Sequence, residues 1–318
     1  MVSGKKVNGT EGRITGSRGP DMLINNISVF RSIFRNINAR AMNRGMIGYT
    51  IKKDFGPFGL NEIHDYVDAT CDDFEKYAGH DSPAPPFFFS KELYPLFREI
   101  ITHRDLNLNL LRMVHGQQSL KSYGAVSHED HFSIKMTIAD ITDTAAGELL
   151  LVKTEGSSHG KLILEAETGF VVRVFEKREG GISKKERYAL PDYSEETGVK
   201  FLIKTERGQE KKYAKVSNDS NPIHTSTFFA KAAGLPGRIL HGVCVMAMCT
   251  NSLVDGVAER DSARLREVSG RFSYPVIPGD TLTLAGYRTE EKGLHGVHFN
   301  VYSGSGKTVV NKGVFLYS

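Results

Sequence analysis

Asp219 and His224 stand five positions apart in the stretch KVSNDSNPIH (215–224), with Asn221 and Pro222 between them. On a helix two such side chains diverge, but Pro222 is expected to keep the segment between them non-helical, so a loop can aim both at one water. A carboxylate only accepts hydrogen bonds, while a neutral imidazole offers one donor and one acceptor. Together they can orient a water, remove a proton and return one, a contribution typically of ~10²–10⁴-fold. Asn221 can hold either the loop or the water through its amide. Taken alone, the same residues also fit an Asx-turn beside a satisfied histidine.

Gly242 adds a second chemical element, because it opens the apolar run GVCVMAMC. That run predicts a helix buried on nearly all sides. The first N–H groups of a helix lack internal partners and its dipole favours negative charge. Glycine lets an oxyanion approach such an N–H closely. His241, just ahead, is expected to set the turn. Asp219, His224 and His241 could ligate a metal by type, but no spacing fixes such a geometry, and no metal site is expected.

The elements that must position these groups read as two similar halves. Strand-like segments run over 131–141, 148–153, 161–167 and 169–175, and again over 265–274, 281–287, 297–302 and 309–316. A charged, Gly-containing stretch, EKREGGISKKERYALPDYSEET (176–197), separates them as a linker. Each half places a His-Gly pair, His115-Gly116 and His241-Gly242, ahead of its strands, which suggests an internal duplication. The first half has room for only a remnant of the central helix. Asp72 and Asp73 read as a solvated acidic turn, with His80 the nearest catalytic type. Residues 21–44 carry apolar positions at helical spacing (Leu23, Ile27, Phe30, Phe34, Ile37, Ala41) and predict an amphipathic helix packed on the domain. An organelle-targeting segment is the alternative for residues 1–45.

The bulk numbers are those of a globular chain. Of 318 residues, 40% are hydrophobic and 25% charged, and 41 basic against 37 acidic residues leave a net charge of +4. Without a basic stripe interleaved with aromatics, nucleic acid is not expected as a partner. Three scattered cysteines argue for a reduced interior and a cytoplasmic protein. No apolar run is long enough to span a membrane.

The segment from Tyr213 to His224, GLPGRILHG (234–242) and RFSYPVIPGD (271–280) resemble, in order, three blocks of the MaoC-like (R)-specific enoyl-CoA hydratases, or hydratase 2. Asn218 stands where the family usually has glycine, and asparagine is the next residue most tolerant of positive φ. MVHGQQSL (113–120) is similar to the degenerate first domain of the eukaryotic type. The resemblance implies an α+β double hotdog, two antiparallel sheets each wrapped on a helix, the N-terminal helix reduced. It implies a tail over 1–45, an acyl-chain-binding hotdog over 46–177, a linker over 178–198 and a catalytic hotdog over 199–318.

The implied enzyme is a hydro-lyase that reversibly hydrates trans-2-enoyl thioesters to (3R)-3-hydroxyacyl thioesters. Asp219, His224 and the Gly242 amide would be catalytic, with Asn221 placing the loop or the water. Ser217, Ile239, His241, Phe87, Lys215 and Arg238 are expected to line the substrate, which arrives as a CoA or phosphopantetheine thioester, with no further cofactor. Rival readings are a carrier-protein dehydratase of fatty-acid or polyketide synthesis, a hotdog thioesterase, and a non-catalytic acyl-thioester-binding protein. A monomer and a homodimer are both compatible with a double hotdog.

Overall fold

The computed structural model describes residues 29, 31–79, 82–125, 130–173 and 198–318. Nearly all of the expected linker, His80 and most of the N-terminal tail lie outside the described residues.

Among the described residues, ten strands form one antiparallel sheet in the order β1-β3-β4-β5-β2-β7-β10-β9-β8-β6. The first five are β1 (Thr50–Phe55), β2 (Met113–Ser122), β3 (Phe132–Thr144), β4 (Gly147–Ser158) and β5 (Lys161–Arg173). The second five are β6 (Gly198–Lys204), β7 (Leu265–Phe272), β8 (Thr281–Glu291), β9 (Leu294–Tyr302) and β10 (Thr308–Tyr317). Each set shares one topology: the first strand at the outer edge, the second at the inner edge, the other three between. The double hotdog is therefore present, but its two expected sheets are one continuous sheet. β2 and β7 join them through pairs from Gln117↔Arg271 to Lys121↔Glu267. Strand burial alternates where one face meets the helices, as along β4.

Besides the helical residues 31–36, the α-helices among the described residues are α1 (Leu60–Ala69), α2 (Leu93–Ile101), α3 (Gln209–Ser217), α4 (Pro222–Thr225), α5 (Thr227–Ala232) and α6 (Gly242–Val257). α6 has 16 residues and buries Cys244 to Asn251 without a break, then Leu253 and Val254. Each large apolar side chain so buried contributes ~1.5–3 kcal/mol. α2, in the same chain position of the first unit, has nine residues. The reduced helix is thus real, although the two His-Gly pairs do not mark it. His241 is the N-cap of α6, whereas His115 and Gly116 lie within strand β2. The pairs are not repeats of one another.

Other expectations shift as well. Segment 161–167 and the described residues 169–173 of the next belong to one strand, β5, with Gly169 opposite Gln117 beside a register shift in β2; residues 174 and 175 lie outside the described residues. β1, β2 and β6 carry weak alternation and were not expected. Of the predicted N-terminal helix, residues 31–36 are helical. The described part of its apolar stripe does not face the domain: Phe34 is 76% exposed and Ile37 is exposed too, while Ser32 and Asn36 are buried, and Leu23, Ile27 and Phe30 lie outside the described residues. Polar contacts hold this segment, with Arg35 donating to the Thr102 carbonyl and Asn109 to that of Ile37. The Asp72 side chain is buried rather than solvated, paired with Lys76 and accepting from the Tyr77 hydroxyl at 2.7 Å.

Candidate active site

α3 delivers the chain to the site and stops on Asn218, whose φ of 55° places it in the left-handed region as the C-cap. Asparagine tolerates that conformation, so the departure from glycine leaves the loop intact. Ser217 braces the turn by donating to the Tyr213 carbonyl at 2.7 Å and accepting from the Asp219 N–H at 3.3 Å. Asp219 Oδ1 accepts from the Asn221 N–H at 3.1 Å. Asn221 then caps α4, its Oδ1 accepting from the Ile223 N–H at 3.2 Å, with Pro222 in the first turn. Asn221 therefore holds the loop. Pro222 does not keep the whole stretch extended. It starts the short helix that carries His224.

His224 is buried and its Nδ1 lies 2.9 Å from the Ile239 carbonyl. A carbonyl only accepts, so Nδ1 carries the proton and Nε2 presents a lone pair. The His241 ring stacks on His224 with centroids 3.7 Å apart, and its Nε2 donates to the Asp219 carbonyl at 3.2 Å. Its Nδ1 is buried without a partner. Groups of Asp219, His224 and His241 come within 4.8 Å of one another. His241 thus fixes the loop that bears Asp219, as its position before the helix suggested.

Burial pushes the Asp219 carboxyl above its usual range, against the lowering pull of His224 and the Asn221 N–H. Burial likewise lowers His224, partly offset by Asp219 and by the Ile239 carbonyl, and lowers His241 strongly. The Asp219 side chain nevertheless keeps 24% of its surface open, enough for a small reactant to reach it. Gly242 follows at the first turn of α6, where its N–H precedes the helical ladder. This brings a carboxylate, an imidazole lone pair and a helix N-terminus into one place.

Two further residues come from the first unit. His115 faces Gly242: a Cβ built on that glycine would lie 3.0 Å from His115 Nδ1 and 3.0 Å from Phe272 Cζ. Tyr94, on α2, has its phenol pushed up mainly by burial and also by the charge of Asp219. Neither is signalled by local sequence, because each reaches the site from a remote strand or helix. Arg238 is held 3.3 Å from the fully buried carboxylate of Glu210, and Lys212 is paired with Asp68 and Glu206, while Lys215 is exposed. Ile239 contributes its carbonyl to His224. Phe87 is in the core, its ring stacked 6.2 Å from that of Phe89. A cavity of about 410 Å³ lies apart from the Asp219 loop, walled by Phe58, Phe88, Phe89, Leu120, Phe132 and Leu164 among others.

Residues 194–309 match the family described as MaoC like domain, and residues 46–166 match the FAS1-like dehydratase domain region. Residues 194–309 thus form a MaoC-like domain. The chain is 29% identical over 189 residues to 3-hydroxyacyl-thioester dehydratase Y of Mycobacterium tuberculosis, covering 57% of this chain and 64% of that protein. It is also 29% identical over 186 residues to the peroxisomal enoyl-CoA hydratase 2 of Arabidopsis thaliana, covering 54% and 58%. The matched segment therefore spans less than two thirds of these curated relatives. A crystal structure of a MaoC-like dehydratase from Phytophthora capsici superposes with a TM-score of 0.70 at 21% identity, over 87% of this chain and 98% of that one. Among the described residues no helix is long and apolar enough to cross a membrane.

Proposed function

We propose that the chain reversibly hydrates trans-2-enoyl thioesters to (3R)-3-hydroxyacyl thioesters at the Asp219 loop. One observation carries the reading. The Ile239 carbonyl fixes the His224 tautomer so that Nε2 is an acceptor, beside the Asp219 carboxylate and the first turn of α6. In the hydration direction Asp219 and His224 hold one water over C3 and take its proton as the C3–O bond forms. The electron pair moves through C2 to the thioester oxygen, where the Gly242 N–H and the helix dipole stabilise the charge. The proton is returned to C2 and the enolate collapses to the thioester. The substrate brings its own activating group, so this reading assigns no metal or redox cofactor.

Acyl-chain binding is assigned to the first unit, residues 46–177, and the mostly apolar cavity of about 410 Å³, walled largely by that unit together with Ser262, Ala263, Leu265 and Arg266 of the second, supports that assignment. β2 runs from His115 at Gly242 to Leu120 and Ser122 at the cavity. Phe88 and Phe89, rather than Phe87, form the wall that would set chain length. The thioester handle is CoA or a carrier protein's phosphopantetheine. The names of the two relatives carry both the hydration and the dehydration direction. The compartment proposed is the cytoplasm, with organelle import through residues 1–45 as the alternative. Sedimentation would show whether two chains pair.

Purified protein mixed with crotonyl-CoA should lose the enoyl absorbance without releasing thiol, and Asp219→Asn should abolish that loss. Thiol release would instead identify a thioesterase, and binding without turnover an acyl-thioester-binding protein.

A further inference from the structure

His115 is brought to the active site by a defect in its own strand. The β2–β5 register shifts between His115 and Gln117, a bulge of the kind that re-aims a side chain. Gly116 permits it, since a Cβ there would lie 2.9 Å from Val171 Cγ2. The imidazole closes back on the bulge, its Nε2 lying 3.0 Å from the Gln117 carbonyl. That bond leaves Nδ1 unprotonated, facing Gly242. The ring is wedged between aromatics, 4.7 Å from Phe272 and 5.5 Å from Phe170 by centroids. Burial holds it neutral, with its pKa lowered to about 4 and a further lowering from His224.

We infer that His115 is a positioning residue of the second unit's active site, supplied by the first unit. With Phe272 it clamps the open face of Gly242, fixing the direction in which the first N–H of α6 points. The structure gives two reasons. Nδ1 and the Phe272 ring reach the space a side chain at 242 would fill, so a Cβ there would press on both until they gave way by a few tenths of an ångström. A neutral ring also adds no positive charge beside His224, which must keep its own lone pair. This inference rests on the proposed hydration for its kinetic consequence, though not for its structural one.

The test has a ligand-free arm and a kinetic arm. In ligand-free protein, His115→Ala should shift the Gly242 amide ¹⁵N–¹H resonance and raise its hydrogen-exchange rate at least about tenfold, with the amides of Cys249 to Leu253 unchanged. With crotonyl-CoA, the same variant should lose on the order of 10- to 100-fold in kcat while KM changes less than about threefold. The red shift of a bound cinnamoyl thioester, which reports polarisation of its carbonyl, should shrink in parallel. His115→Phe, which refills the wedge, should restore the Gly242 resonance and most of kcat. An unmoved Gly242 resonance in a folded His115→Ala protein overturns the inference, whatever the parent does with enoyl thioesters. A loss confined to KM also overturns it, pointing to substrate contact. If the resonance shifts as expected but the parent fails to hydrate crotonyl-CoA, the proposed reaction falls and the clamp stands.

Discussion

At the residue scale, the site holds charges where burial resists them. Asp219 is raised above its usual pKa, so the native state binds its proton more tightly than the unfolded chain does. Stability contributed there falls as pH rises through the interval from the ordinary carboxylate value to the raised one. Neutral pH therefore carries a stability cost that the proposed hydration requires. Asp219→Asn is expected to abolish hydration while leaving the midpoint of thermal unfolding at pH 7.5 equal to or above the parent's. That difference should shrink in acid, and a midpoint several degrees lower would contradict the account. His115, His224 and His241 act in the opposite sense, since their native pKa values are lowered. The unfolded chain binds their protons first, so stability is complete above ~6.5 and is lost as pH falls toward the lowered values. Thermal scans from pH 7 to pH 4 should show a steady decline, smaller in a His241→Phe variant that has no proton to gain.

At the element scale, α6 depends on small residues where the sheet comes close. A Cβ on Gly256 would lie 2.2 Å from Phe201 on β6, well inside any real contact. The last turn of the helix and the outer strand can pack only because that side chain is missing. Gly256→Val should destabilise by ~1–3 kcal/mol through overpacking. Combining it with Phe201→Ala should recover part of that loss in urea unfolding, and additive losses would show that the two do not meet. Because Gly256 lies at the opposite end of α6 from Gly242, kcat of the folded variant should stay within about threefold of the parent.

At the scale of the whole molecule, the β2–β7 ladder makes the sheet continuous, and among the other contacts between the units is an ion-pair cluster whose Lys76 and Asp72 members are buried. Lys76, with 6% of its side chain exposed, pairs with Asp72 of its own unit and lies 2.8 Å from Asp255 on α6. Removing one member of such a cluster leaves a buried charge without its counterion, a loss of ~3–5 kcal/mol. Lys76→Met should therefore lower unfolding stability by about that amount, and adding Asp72→Asn should return much of it. Fluorescence and circular dichroism should follow one transition, because a shared sheet couples the halves; two separated transitions would show them to be independent.

The sequence by itself determined the parts whose meaning is local. The SNDSNPIH loop, with its turn residues, the tolerance of Asn218 for positive φ, the apolar helix behind Gly242 and the strands from β7 to β10 all follow from neighbours along the chain. Its motifs also support the proposal that Asp219, His224 and Gly242 share one reaction. What needed tertiary structure was every relation between distant residues. The two His-Gly pairs looked like repeats, yet one caps α6 and the other occupies a bulged strand that leans against it. Arg238 and Phe87 looked fit to meet substrate, yet one is held by a buried glutamate and the other is core. Phe34 and Ile37 of the expected apolar stripe near the N-terminus point outward, because polar contacts, invisible to periodicity, hold that segment. Side-chain type and spacing specify which chemistry a loop can perform. Only strand pairing across the β2–β7 seam decides which unit completes the site, since hydrogen-bond register sets which side chains face each other.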